Sequence, residues 1–196
     1  MLFEGDYLNG KKNGNAKEYD WHGNLIFEGE YLKGKRNGKG KDYNIKNKLM
    51  FEGEYLYGKK WNGKLYDSKD NNEVYEIKEG KGYVKEYNNE DKLIFNGYYL
   101  NGERNGKGDE YDDNGSLIFS GEFFKGKKWN SDRYTITSNI KYFLENGKGT
   151  LFIYDIMPNS FDEYEYLLFE GNCINGELNG KGKSYENHSL FIFEGV

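Results

Sequence analysis

The chain has one cysteine and one proline among its 196 residues. A single cysteine excludes an internal disulfide framework, and with only two histidines beside it a Cys/His zinc site lacks ligands. No apolar run reaches the roughly 20 residues that a membrane-spanning helix needs. Met1 is not followed by the cationic-then-apolar pattern of a secretion signal. Aliphatic side chains are also scarce. Hydrophobic residues make up 36% and aromatic residues 18%, so half of the apolar inventory is Phe, Tyr or Trp. That is too little aliphatic material for a large helical core and too much aromatic material for a disordered chain. Basic residues are outnumbered, 28 against 33 acidic, for a net charge of −5. This argues against nucleic acid as the main partner, since phosphate binding needs a cationic surface, and it weakens any general affinity for anionic membranes.

What the chain does have is 27 glycines and a repeat. Phe27-Glu28-Gly29-Glu30-Tyr31-Leu32-Lys33-Gly34-Lys35-Arg36-Asn37-Gly38-Lys39-Gly40 recurs as 95–108 and as 169–182. Units 3–26, 27–50, 95–118 and 169–192 are each 24 residues long, and a stub opens at Phe193. Units 51–94 and 119–168 are longer, and each reads as two hairpins, the second without a leading Phe-x-Gly. The spacing therefore predicts eight hairpins and a terminal strand within a single array, 1–196. Gly58-Lys59-Lys60-Trp61-Asn62 returns 68 residues later as Gly126-Lys127-Lys128-Trp129-Asn130, so the long-short pair is itself repeated. In these copies Trp is expected to add one residue to the hairpin loop.

Each unit reads as strand, glycine-containing loop, strand. A four-residue loop at Gly34–Asn37 would set Tyr31 opposite Gly40 and Glu30 opposite Lys41. Alternation along the strands puts Phe27, Gly29 and Tyr31 on one face with Gly38 and Gly40. Glu28, Glu30 and Leu32 then share the other face with Lys39 and Lys41. Glycine weakens a strand interior, but here an aromatic ring is expected to lie over each bare backbone stretch.

Phe27, Tyr31, Gly34, Gly38 and Gly40, repeated along nearly the whole chain, resemble the MORN (membrane occupation and recognition nexus) repeat. The resemblance implies an all-β fold: an elongated, single-layer, twisted antiparallel sheet of consecutive β-hairpins. It also implies a scaffold, a dimerisation module or an accessory domain, with lipid binding claimed for some family members.

No catalytic set emerges. His22 and His188 fall in inter-hairpin turns and read as exposed loop residues, while Cys173 occupies the position of Tyr31 in its own unit and reads as a packed side chain. Asn-Gly-Lys-Gly lies between strands, whereas a phosphate loop leads into a helix. The chain is therefore expected to be no enzyme and to need no cofactor or metal. The charged residues read as a cross-strand ladder, or as a ligand-binding face of alternating sign. Candidate contacts are Trp61 and Trp129 with Lys59, Lys60, Lys127 and Lys128, because Trp in a polar loop is unusual and is favoured at interfaces; the other reading of each Trp is a ring folded back over a neighbouring hairpin. The acidic-aromatic stretch 155–166, with Asp155, Phe161, Asp162, Glu163 and Tyr164, reads as a functional loop. Together these point to a cytoplasmic protein–protein interaction scaffold, with peripheral attachment to membrane or cytoskeleton as a variant. The alternatives are a phospholipid-surface module, using lysine pairs at the hairpin tips, and a binder or sink of a small anionic ligand. Unpaired terminal strands predict self-association as a homodimer through an edge.

Overall fold

In the computed structural model, residues 2–67, 74–88, 90–131, 140–158, 163–186 and 189–194 are described; for 155–158, 163–165, 186 and 189–194 this means the backbone alone. The fold is all-β. The strands are β1 (Leu2–Leu8), β2 (Lys11–Tyr19), β3 (Leu25–Leu32), β4 (Lys35–Tyr43), β5 (Leu49–Leu56), β6 (Lys59–Tyr66), β7 (Val74–Ile77), β8 (Gly82–Tyr87) and β9 (Leu93–Leu100), followed by β10 (Glu103–Tyr111), β11 (Leu117–Phe124), β12 (Lys127–Ser131), β13 (Ile140–Glu145), β14 (Lys148–Pro158), β15 (Glu163–Ile174), β16 (Glu177–Glu186) and β17 (Ser189–Glu194). Among the described residues there is no helix, and so none long and apolar enough to cross a membrane. The chain forms two compact units, 1–103 and 104–196. In the first, β1 to β7 form an open antiparallel sheet in sequence order, and β8 pairs with β9. In the second, β10 to β12 and β13 to β17 pair in sequence order.

The hairpin loops hold two residues, not four. Lys33 (φ 52°) and Gly34 (φ 87°) both adopt left-handed backbone conformations, the geometry of a type I′ turn, whose twist matches that of the flanking strands. Asn9-Gly10 and Tyr57-Gly58 repeat this pattern. Tyr31 therefore pairs with Arg36 and Gly29 with Gly40, while Glu28, rather than Glu30, stands opposite Lys41. The surplus residues form a bulge around Gly38, whose φ of 97° suits glycine. Trp61 likewise lies in β6 and not in the loop. It is the one residue between Lys60, opposite Tyr55, and Asn62, opposite Glu54, so the Trp hairpin is shorter by one residue instead of longer. The stretch 155–166 also departs from the expected loop. Asp155 to Pro158 pair with Tyr166 to Glu163 as the extended arms of the β14–β15 hairpin.

Register explains the core of the first unit. One column across the sheet reads Phe3, Glu18, Phe27, Asp42, Phe51, Leu65 and Tyr75. The next reads Gly5, Ala16, Gly29, Gly40, Gly53 and Gly63. Rings of the first column lie down over the second: a Cβ added at Gly40 would meet the Phe27 ring at 2.8 Å, and one at Gly63 would meet Phe51 at 2.9 Å. Phe27 and Phe51 are fully buried, with Tyr31 and Tyr55 packed edge-on against them at 5.7 and 5.2 Å between ring centres. Glycines under rings give a thin sheet a core without a second layer.

Candidate interaction surface

The sheet β1–β7 has two faces with different electrostatics. On the inner, aromatic face the charges pair with one another. Phe27 is flanked in register by Glu18 on β2 and Asp42 on β4. Arg36, set opposite Tyr31 by the two-residue turn, lies 3.8 Å from the centre of the Phe27 ring. From there it reaches both neighbours, Glu18 Oε2 at 2.7 Å and Asp42 Oδ1 at 2.7 Å. Lys12 adds a bond to Glu18 at 2.6 Å, and Lys60 one to Asp42 at 3.0 Å. Tyr55 donates its hydroxyl hydrogen to Asp42 at 2.5 Å. Burial pushes the Glu18 carboxyl up, but the hydrogen bonds from Arg36 and Lys12 outweigh it and hold the group at about 2. Burial and Glu18 push the Tyr31 hydroxyl up to about 12 against the opposing pull of Arg36. The second unit repeats the device: Glu110, opposite Phe119, binds Arg104 at 2.8 Å and Lys128 at 2.7 Å.

This arrangement changes the meaning of the lysine pairs. Lys12, Arg36, Lys60 and Lys128, the second member of each pair, are drawn inward over Phe3, Phe27, Phe51 and Phe119. Lys11, Lys35 and Lys127 remain exposed, and Lys59 pairs with Glu103 at 2.7 Å. The sequence signal for the inward cations is their spacing, 24 residues from Lys12 to Arg36 to Lys60 and 68 from Lys60 to Lys128, but only the two-residue turn, which pairs Tyr31 with Arg36 and Tyr55 with Lys60, assigns them to the ring face.

An inner cavity of about 460 Å³ in the first unit is bordered by Arg36, Lys60, Lys85, Tyr55, Tyr87 and Tyr99. Its cations already face carboxylates, including Lys85 with Asp67 at 3.5 Å. An anionic ligand there would have to compete with Asp42 and Asp67 for them.

The outer face is different. Consecutive paired positions read Glu4, Lys17, Glu28, Lys41, Glu52, Lys64 and Glu76, so the sign changes at each strand from β1 to β7. A second row, with Glu30, Lys39 and Glu54, runs parallel to it on β3, β4 and β5. Between the rows lies an open groove of about 740 Å³, floored by the backbone of Gly5, Ala16, Gly29, Gly40 and Gly53. Lys41 and Glu52 approach to 3.2 Å with both side chains nearly half exposed. Glu4 and Glu28 accept hydrogen bonds from the hydroxyls of Tyr19 and Tyr43 at 3.0 and 2.6 Å. The alternation of sign is legible in the sequence, but a four-residue loop sets Glu30 in place of Glu28 opposite Lys41 and so mispairs the rows that border the groove.

The other candidate residues are placed as follows. Trp61 and Trp129 are half-buried, and each ring lies against the glycine of the next hairpin tip, Gly80 and Gly147. The N–H groups of those glycines donate to the Trp61 and Trp129 carbonyls at 2.8 Å. Trp21, passed over in the sequence, is 83% exposed beside the exposed His22. Cys173 is buried, and burial pushes its thiol up. Asp155, Glu163 and Tyr164 are in paired strands, while Phe161, Asp162 and His188 lie outside the described residues. In comparisons with known proteins, no family model and no curated protein matches this chain.

Proposed function

We propose that the chain is a non-catalytic protein-interaction scaffold whose outer face over β1–β7 holds a partner. The observation that carries this reading is the contrast between the two faces. Inner-face cations are committed to ion pairs around buried rings, whereas the outer face carries charge that alternates in sign over β1–β7 and an open groove over β1–β5. Exposed pairs add little to stability, but a patterned charged surface selects partners and sets association rates. The resemblance to MORN repeats supports the same reading. The test is protein capture from a native cell extract by the wild-type chain and by a Lys17→Glu/Lys41→Glu variant. A partner held by the first and lost by the second is expected; identical capture by both would refute the outer face as the contact.

A second reading has its own observation. On the hairpin-tip edge of the first unit, Leu8 and Tyr57 are 59% and 68% exposed, and exposed Lys11, Lys33 and Lys35 lie among them. Apolar side chains set among lysines suit a lipid headgroup surface. Flotation with anionic vesicles, compared with zwitterionic ones, tests it.

A further inference from the structure

The period of the outer face restricts what fits the groove. Adjacent strands are about 4.8 Å apart, so like charges recur every ~9.6 Å, and the groove from β1 to β5 is about 19 Å long. The groove is open to solvent along its length and holds about 740 Å³, room for an extended chain lying across the strands. Three residues of extended chain span about 10 Å, and three of polyproline II about 9.3 Å. An extended polypeptide therefore keeps step with the stripes when a cation recurs at every third residue.

We propose that this groove takes an extended, mixed-charge polypeptide segment lying across the strands, with a cation at every third residue and an acid between. Its cations face Glu4, Glu28 or Glu30, and Glu52 or Glu54, on β1, β3 and β5. Its acids face Lys17 on β2 and Lys39 or Lys41 on β4. Both walls carry an acid on β3 and β5, so cations that point alternately left and right along a strand still meet a carboxylate. A uniform polycation is disfavoured by the lysines it must cross, and a polyanion by the acids. The proposal rests on the outer face being the contact surface, and it adds the chemistry of the occupant.

Fluorescence anisotropy with the full chain tests it. The probes are two labelled peptides of about a dozen residues and identical composition, one an (Arg-Glu-Ser) repeat and the other with its Arg, Ser and Glu in separate blocks. The repeat peptide is expected to bind at least about tenfold more tightly than the block peptide, and to weaken as salt shortens the screening length. Lys17→Glu/Lys41→Glu is expected to cost about tenfold by setting like charges opposite one another, with Lys35→Glu, at a hairpin tip, changing affinity less than about twofold. A thermal melt confirms folding of the double variant; should it fail, Lys17→Gln/Lys41→Gln replaces it. Equal affinity for both peptides, or no binding of the repeat peptide at about millimolar concentration, would overturn the proposal. If extract capture still depends on Lys17 and Lys41 in that case, the scaffold reading stands and only the class of occupant falls.

Discussion

The guanidinium of Arg36 sits 3.8 Å above the centre of the Phe27 ring while holding the carboxylates on either side of that ring, Glu18 and Asp42. Three levels of the chain meet in this contact. The repeat supplies a cation nine residues after Phe3, Phe27, Phe51, Phe95 and Phe119, the two-residue turn brings Arg36 to the ring face opposite Tyr31, and the sheet register sets an acid on each side of Phe27. Removing one partner from such a network leaves uncompensated charge in a mostly desolvated site.

Arg36→Met is accordingly expected to destabilise the first unit by about 2–4 kcal/mol, below the loss for a fully buried pair because the side chain is partly solvated. Arg36→Lys should recover only part of this, since one ammonium cannot reproduce the fork that spans both acids. Urea denaturation of the three proteins measures it.

The Glu18 carboxyl is held near 2 in the fold against 4.5 as its ordinary value. A depressed carboxylate gives stability that is complete above about pH 4.5 and lost as pH falls through about 2. Tyr31, raised to about 12 from 10, acts in the opposite sense: its contribution is present below pH 10 and lost as pH rises through 12. Melting temperature against pH should fall at both ends, and Glu18→Gln should flatten the acid limb. An unchanged acid limb in that variant would count against the assignment.

Gly40→Ala is expected to cost about 2–3 kcal/mol by overpacking, because its Cβ would lie 2.8 Å from the Phe27 ring and 3.1 Å from the Tyr55 ring. Gly23→Ala is the control. It has open space around it and pays only for a left-handed backbone, φ 85°, about 1 kcal/mol. Chemical denaturation that ranks the two in reverse would refute the glycine-under-ring core.

The three tryptophans should separate by accessibility. Trp21 is 83% exposed, whereas Trp61 and Trp129 pack on Gly80 and Gly147. Acrylamide is expected to quench the fluorescence of Trp21 readily and that of the other two weakly, as read from single-Trp variants. Gly80→Ala should raise quenching of Trp61 by displacing its ring.

Hairpin order and the aromatic core were legible in the sequence because Phe-x-Gly, alternation and tip glycines repeat in phase. The loop length was not. Lys33-Gly34 and Asn37-Gly38 both look like turn signals, and only the strand twist decides that the first is the turn and the second a bulge. That single choice moved Arg36 from an exposed tip to the ring face, and so hid the Glu18–Arg36–Asp42 chain. For Trp61 the sequence allows an exposed contact or a ring folded back over a neighbouring hairpin, and the ring lies against Gly80 of the next hairpin tip; its place in β6 instead of the loop follows from the register. The extended arms at 155–158 and 163–166 read as an insertion because nothing in their composition marks them as partners.

The most direct test of the outer face is a lysine cross-linking map of the full chain bound to a partner from native extract. The account predicts cross-links from Lys17, Lys39 and Lys41, with few from the tip residues Lys11, Lys33 and Lys35. Cross-links confined to the tip lysines, with the outer-face lysines still freely labelled by reagent, would contradict it.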